Sequence, residues 1–278
     1  MRCTLVERSG LAALNNVLCN GRPAEVADLR TLALRNYGHF TVMQVRGRAV
    51  RGFDLHLRRL RDATREMFAA ELEDARVVDG LGMAFDAASV DDCTARVSVC
   101  APAFDFRDPL RAVDVDVIVA ITAPAEADTA PLRVKSFRYE RALPQVKHVG
   151  TFPLFHFARE ARRAGYDDAL FVGADGRVSE GSIWNLGLWD GDSVVWPEAP
   201  ALRGTMEQLL RAALEEAGVP QVRRPVHLQD LAGFKGAFAT NSRGIQPISG
   251  VDGVLFDPAP GLLDRLVRAL ESRPWQPV

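Results

Sequence analysis

Lysine is scarce in this 278-residue chain: Lys135, Lys147 and Lys235 are the only three, among 34 basic residues in all. Any chemistry that needs a lysine amine therefore has few places to act. Cysteine is sparse too. Cys3, Cys19, Cys93 and Cys100 form no Cys-x-x-Cys pair and fit no zinc-ligand spacing, which excludes a structural zinc site and leaves reduced thiols of a cytoplasmic protein as the expectation. No run approaches the roughly 18 apolar residues of a membrane span. The opening MRCTLVERSG lacks the apolar stretch of a signal peptide. Charge of either sign is not in excess: a net −2 and a pI near 6.2 give no reason to expect a nucleic acid or an anionic membrane as partner. No internal repeat is present. The expectation is a soluble cytoplasmic protein without a metal.

What is present is an ordinary globular composition, 47% hydrophobic and 25% charged, enough for one large domain or two smaller ones. A strand, the turn Asn20-Gly21 and a second strand or loop are expected across Ala13–Val26. Phe40–Val45 and Ala49–Phe53 flank Arg46-Gly47-Arg48 as a hairpin. Asp54 is placed to cap a helix running to about Glu73, with Leu55, Leu57, Leu60, Met67, Phe68 and Leu72 as its apolar stripe. The run Arg58-Arg59-Leu60-Arg61 reads as a solvated face of that helix, except where one arginine turns inward. Strands follow at Ala95–Ala101 and Val113–Thr122. The segment Ala123–Pro131, APAEADTAP, has no apolar period and reads as a linker.

Beyond it the pattern predicts strands at Leu132–Phe137, Ala169–Val172, Ile183–Trp189, Val194–Trp196 and Gly236–Thr240. Asp175-Gly176 and Asp190-Gly191 are hairpin turns. Helices are expected over Thr151–Ala164 with a Gly165 stop, over Thr205–Ala217 with Gly218 and Pro220 behind it, and over Asp257–Ser272. Strands and helices mixed without strict βαβ alternation argue an α+β fold. The domain reading is 1–122, a linker 123–131, and 132–278.

Within Arg138–Asn185 one lysine, Lys147, stands just ahead of a helix, and one glutamate, Glu180, sits on a short strand between turns. Alone these are a surface lysine and a turn carboxylate. The segments PQVKH, GYDDALFV, DGRVSEGSIWNL, ALRGT and ATNSRGIQPI together resemble the fold-type-IV, or class IV, pyridoxal-phosphate enzymes. That family includes branched-chain and D-amino-acid aminotransferases, amine transaminases and aminodeoxychorismate lyase. The resemblance runs from about Asn36 to Ile248 with the motifs in the family's order.

The resemblance implies a two-domain fold, a small N-terminal α/β domain and a larger C-terminal mixed-sheet domain. It also implies pyridoxal 5′-phosphate as cofactor, an amino donor and a 2-oxo acid as substrates, and a homodimer. It assigns Lys147 to the Schiff base with the cofactor's aldehyde and to proton transfer afterwards. Glu180 is assigned to the ring nitrogen and Leu202 to one face of the ring. Gly204 and the backbone amides of Thr205 and Met206 are assigned to the phosphate, with Arg59 of the HLRRL helix and with Asn241 and Ser242.

The chain also departs from the family's pattern. The segment Tyr37-Gly38-His39-Phe40 is shortened, so the substrate-facing residue falls at Phe40 or Thr41. Phe152 stands where branched-chain enzymes carry a tyrosine, and Met206 where a threonine is common. Lys147-His148 resembles the lyase branch. The substrate-carboxylate arginine has no clean match; Arg243 is the first candidate, with Arg107, Arg138 and Arg141 as rivals. The implied activity is amino-group transfer; the alternatives are aminodeoxychorismate lysis and a non-catalytic cofactor-binding relic.

Overall fold

The structure is a computed structural model and describes residues 17–256 and 260–278. The predicted stretch Ala13–Asn16, Cys3 and the first residues of the predicted C-terminal helix lie outside the described residues. Two compact units emerge, one holding the described residues up to Ala125 together with Gln276–Val278, the other Glu126–Trp275.

In the first unit β1 (Val17–Cys19) and β2 (Arg22–Pro23) are joined by Asn20-Gly21, both at positive φ, the backbone that a two-residue hairpin requires. Then come α1 (Val26–Arg35), β3 (His39–Val45), β4 (Ala49–Arg51), α2 (Phe53–Phe68), α3 (Asp74–Ala88), β5 (Cys93–Cys100) and β6 (Asp116–Thr122). Five strands form an antiparallel sheet in the order β2-β1-β6-β5-β3. Helices α2 and α3 pack on it around Met43, Val45, Leu60, Phe68, Leu81, Phe85, Val97 and Val119.

Three expectations are corrected here. Gly52, at φ 68, is the N-cap of α2, and Asp54 lies in its first turn. The helix does not reach Glu73. It ends at Phe68, where Ala69 turns left-handed and returns its N–H to Arg65 O, and Glu73 instead caps α3. Leu72 is buried, but in the turn between helices, so its apolar character falls in period with α2 without belonging to it. Helix α3 was not expected from the sequence. Gly80 is buried facing Val119, and a small residue there lets helix and sheet approach.

The second unit contains β7 (Leu132–Arg138), α4 (Phe152–Arg163), β8 (Asp168–Val172), β9 (Val178–Gly181), β10 (Asn185–Trp189), β11 (Val194–Pro197), α5 (Thr205–Glu216), β12 (Gln221–Arg224), β13 (Gly236–Asn241), β14 (Gly244–Val251), β15 (Val254–Leu255), α6 (Pro260–Glu271) and the start of β16 (Trp275–Pro277). Its sheet runs β12-β11-β10-β13-β14-β7-β8-β9, and β9 also pairs with β10. Strands β10, β13, β14, β7, β8 and β9 therefore close into a ring. Val134, Leu170, Val172, Val178, Leu186, Leu188, Ala239 and Ile248 fill its inside. The alternate residues Ala169 and Phe171 face outward onto Leu154 and Ala161 of α4, as the two-residue period of a strand demands. Among the described residues, no helix is long and apolar enough to cross a membrane.

Candidate active site

The outer face of the ring carries a row of buried polar residues. Asn185 on β10 lies opposite Glu180 on β9 and opposite Thr240 on β13. Directly opposed residues present their side chains to the same face, and Asn185 alternates with the inward Leu186, so all three face out. A β-bulge makes this possible for Glu180. Leu170 pairs with Gly181 and Val172 with Val178, so β9 carries one extra residue. Without it Glu180 would share the inward direction of Val178. Gly181 is required at this bend, because a Cβ there would overlap the Trp184 ring. Asp168 Oδ2 ties the following turn by accepting from Ser182 Oγ (2.8 Å) and Trp184 Nε1 (3.0 Å).

Asn185 is the hinge pin of the row. Its Nδ2 donates to Leu202 O (2.6 Å) and its Oδ1 accepts from Gly204 N (3.0 Å). The loop before α5 is thereby clamped beside Glu180 and Thr240. A Cβ at Gly204 would collide with Asn185 Oδ1. Arg203 closes the other side of the loop with bonds to Ala199 O (2.8 Å) and to Glu207 Oε1 (3.2 Å). No side chain caps α5, so its first N–H groups, those of Thr205 and Met206 included, keep the donor capacity and the positive end of the helix dipole. Glu207, 1% exposed in that first turn, is pushed above the usual carboxylate range by burial, against the opposing pull of Arg203 and Arg211. The buried Leu210 and Leu214 hold α5 down, each worth about 2 kcal/mol.

Glu180 has a partner that its sequence position did not reveal. Arg141 Nε lies 2.9 Å from Glu180 Oε1, and the two side chains are only 3% and 5% exposed. Arg141 opens the loop that carries Lys147. Within that loop Val146 is buried and donates its N–H to Leu143 O (2.9 Å), while Lys147 is half-buried. His148 brackets the lysine. Its Nδ1 accepts from Gly150 N (3.1 Å), which leaves Nε2 to donate to Ala142 O (3.1 Å). Burial first, then the charge of Arg141, hold this histidine below its ordinary pKa, and the neutral ring is the form both bonds require. Helix α4 begins five residues after the lysine, with Phe152 turned to solvent.

The remaining sequence-selected residues are distributed as follows. Leu202 is buried on the clamped loop, and Asn241 and Ser242 begin the tight turn between β13 and β14, where Asn241 Oδ1 accepts from Arg243 N (2.9 Å). Arg243 is exposed at the turn's tip, and Arg138 donates to Ala174 O (3.0 Å). Arg59, Phe40, Thr41 and Arg107 belong to the first unit. Arg59 is half-buried on α2 while its neighbour Arg58 is exposed. Thr41 Oγ1 lies 2.6 Å from His56 Nδ1 inside the core, and Phe40 is stacked under the Arg96 guanidinium at 3.6 Å. Asn185 and Thr240 were missed as members of the row, because only strand register sets them beside Glu180, and Arg141, weighed from the sequence only for a substrate carboxylate, was missed as the partner of Glu180.

This surface fits a phosphorylated pyridine aldehyde. Glu180 has one oxygen bound to Arg141 and the other without a hydrogen-bond partner among the described residues. Thr240 Oγ1 is buried with no partner, which is rare unless something else occupies it. The uncapped start of α5 suits an anion. Among the described residues no group of three or more His, Cys, Asp or Glu is placed to hold a metal.

The sequence profile of the amino-transferase class IV family matches residues 38–251. No curated protein sequence matches the chain. Solved structures share the fold. A branched-chain aminotransferase from Thermoproteus uzoniensis with norvaline superposes with a TM-score of 0.81 at 18% identity, covering 93% of this chain and 94% of the other. A candidate 4-amino-4-deoxychorismate lyase from Legionella pneumophila gives 0.78 at 19%, covering 90% and 95%. The pyridoxal-phosphate-bound form of a hypothetical aminotransferase from Mycobacterium tuberculosis gives 0.76 at 20%, covering 92% and 97%.

Proposed function

Because this chain belongs to the class IV aminotransferase family of pyridoxal-phosphate-dependent enzymes, we propose that it moves an amino group between an amino acid or amine and a 2-oxo acid, with Lys147 as its reactive amine. The bound cofactor supplies the aldehyde that takes up the amino group and the ring that draws electrons from the α-carbon. The protein's residues hold and orient it. The first N–H groups of α5, at Thr205 and Met206, receive the phosphate, joined by Asn241 and Ser242. Leu202 covers one face of the ring. Glu180 Oε2 accepts from the ring N–H. Lys147 Nζ would carry the proton away from the substrate α-carbon and return it. Arg59, Phe40 and Thr41 remain proposals on sequence grounds alone.

The observation that carries the reading is the Glu180–Asn185–Thr240 register. It supports a buried acid, an open hydroxyl and an anion-binding helix start on one face of one sheet. The rival reaction, pyruvate release from aminodeoxychorismate, is favoured only by the Lys147-His148 pair, and both nitrogens of His148 are taken up by its own loop.

The test is a panel of amino donors, both enantiomers of each, against 2-oxo acids. Purified protein with cofactor should be yellow and lose its colour with a productive donor. Lys147→Ala should abolish turnover while leaving phosphate-dependent cofactor binding measurable. Turnover surviving in Lys147→Ala removes the lysine from its role. Release of 4-aminobenzoate and pyruvate without any amino transfer selects the lyase.

A further inference from the structure

We propose that Arg141 is the positioning residue of the ring-nitrogen carboxylate: it anchors Glu180 by one oxygen, Oε1, and so presents the other, Oε2, to the cofactor. The inference rests on the cofactor reading above and adds to it a residue that the reading does not require.

Three observations carry it. The pair is buried, with side chains 3% and 5% exposed and Nε 2.9 Å from Oε1. A carboxylate at that depth is tenable only with a counter-charge and hydrogen bonds. The bond is also single. An arginine that grips a carboxylate with both prongs of its fork consumes both oxygens, whereas here the contact runs through Nε alone and Oε2 has no partner among the described residues. A carboxylate whose task is to accept one hydrogen bond from a ring N–H needs that arrangement.

The third observation is the origin of Arg141 in the chain. Strand β7 ends at Arg138, and the N–H of the next residue, Tyr139, still donates to Val172 O (3.1 Å). The chain then leaves the sheet, and residues 141–147 make the loop that ends in the lysine. One short segment thus holds both the partner of the acid and the reactive amine. Ala142 O, the next carbonyl after Arg141, is tied to His148 on the far side of Lys147. A movement of the lysine loop is therefore transmitted to Glu180 through Arg141, and the two groups are set as one assembly.

The experiment is a double-mutant cycle on the full chain, stripped of cofactor and titrated with pyridoxal 5′-phosphate, with thermal midpoints of each apoprotein read alongside. Arg141→Met should weaken affinity on the order of tenfold, and Arg141→Lys, which keeps the charge, by less. In a Glu180→Gln background the same Arg141→Met change should have an effect of under about twofold, because the group to be positioned is already gone. If Arg141→Met fails to fold, Arg141→Lys compared across the two backgrounds decides. An equal loss in both backgrounds overturns the inference. So does unchanged affinity in a folded Arg141 variant whose midpoint has dropped, the mark of an ion pair that is only structural. Failure of the unaltered chain to bind the cofactor sinks the cofactor reading and this inference together, while normal binding without coupling sinks this one alone.

Discussion

Thr240 on β13 is buried. Its hydroxyl is buried with no partner, and such a group costs about 1–3 kcal/mol when left unsatisfied. Thr240→Val keeps the shape and removes the orphan, so the apoprotein should gain thermal stability while affinity for pyridoxal 5′-phosphate falls. A variant that gains stability and binds the cofactor as well as before would show that the hydroxyl does not meet it. His39, fully buried in the first unit, is a second such residue. Thr64 Oγ1 donates to Leu60 O (2.8 Å) and accepts from His39 Nε2 (3.0 Å), leaving Nδ1 bare among apolar neighbours. Burial lowers its pKa to about 4 from an ordinary 6.5. The folded state thus disfavours the protonated ring; the stability this contributes is complete above pH 6.5 and is lost as the pH falls toward 4. Between pH 6.5 and 5 the loss is about 2 kcal/mol. Urea unfolding of the unaltered chain and of His39→Leu at the two pH values should differ by that slope, and equal slopes would refute it.

At the scale of elements, the site depends on how one loop meets one strand. Lys147, Glu180, Leu202 and the Gly204-Thr205 helix start were singled out from the sequence by short motifs and a helix boundary, which leave local marks. The Asn185 clamp was not, since nothing local connects it to Leu202 and Gly204. Gly204→Ala would put a methyl group into Asn185 Oδ1 and prise the loop away. The expected result is cofactor affinity reduced by on the order of tenfold with helix content unchanged. Circular dichroism with a cofactor titration checks both halves, and full affinity in Gly204→Ala would mean that the clamp is dispensable. The helix boundary missed near Phe68 has the same cause. Leu72 satisfies the period of α2, and only the left-handed turn at Ala69 reveals that it packs from elsewhere.

At the scale of the whole chain, the Ala- and Pro-rich stretch after Thr122 reads as a linker, and the two units divide after Ala125. The sequence reading carried the C-terminal domain to residue 278, yet Gln276–Val278 return to the first unit. There Gln276 Oε1 accepts from Asp54 N (3.2 Å) and Val278 N donates to Arg48 O (3.1 Å). Gln276 and Pro277 also belong to β16, which pairs with β4, so removing these three residues should destabilise the first unit by about 1–3 kcal/mol, at roughly 1 kcal/mol per hydrogen bond lost. Chemical denaturation of the shortened chain measures it, and an unchanged midpoint would show the tail to be idle.

By itself the sequence determined the class of fold, the family and the residues that announce themselves by neighbours: a lysine before a helix, a glutamate between turns, a glycine at a helix start. Local patterns carry such information because propensity and capping act over a few residues. Only the tertiary structure decided which way those residues face. A single extra residue in β9 turns Glu180 outward, strand register lines it up with Asn185 and Thr240, and a loop from a different part of the chain delivers Arg141 to its carboxylate. Those outcomes depend on contacts between residues far apart in sequence, where no periodicity records the partner.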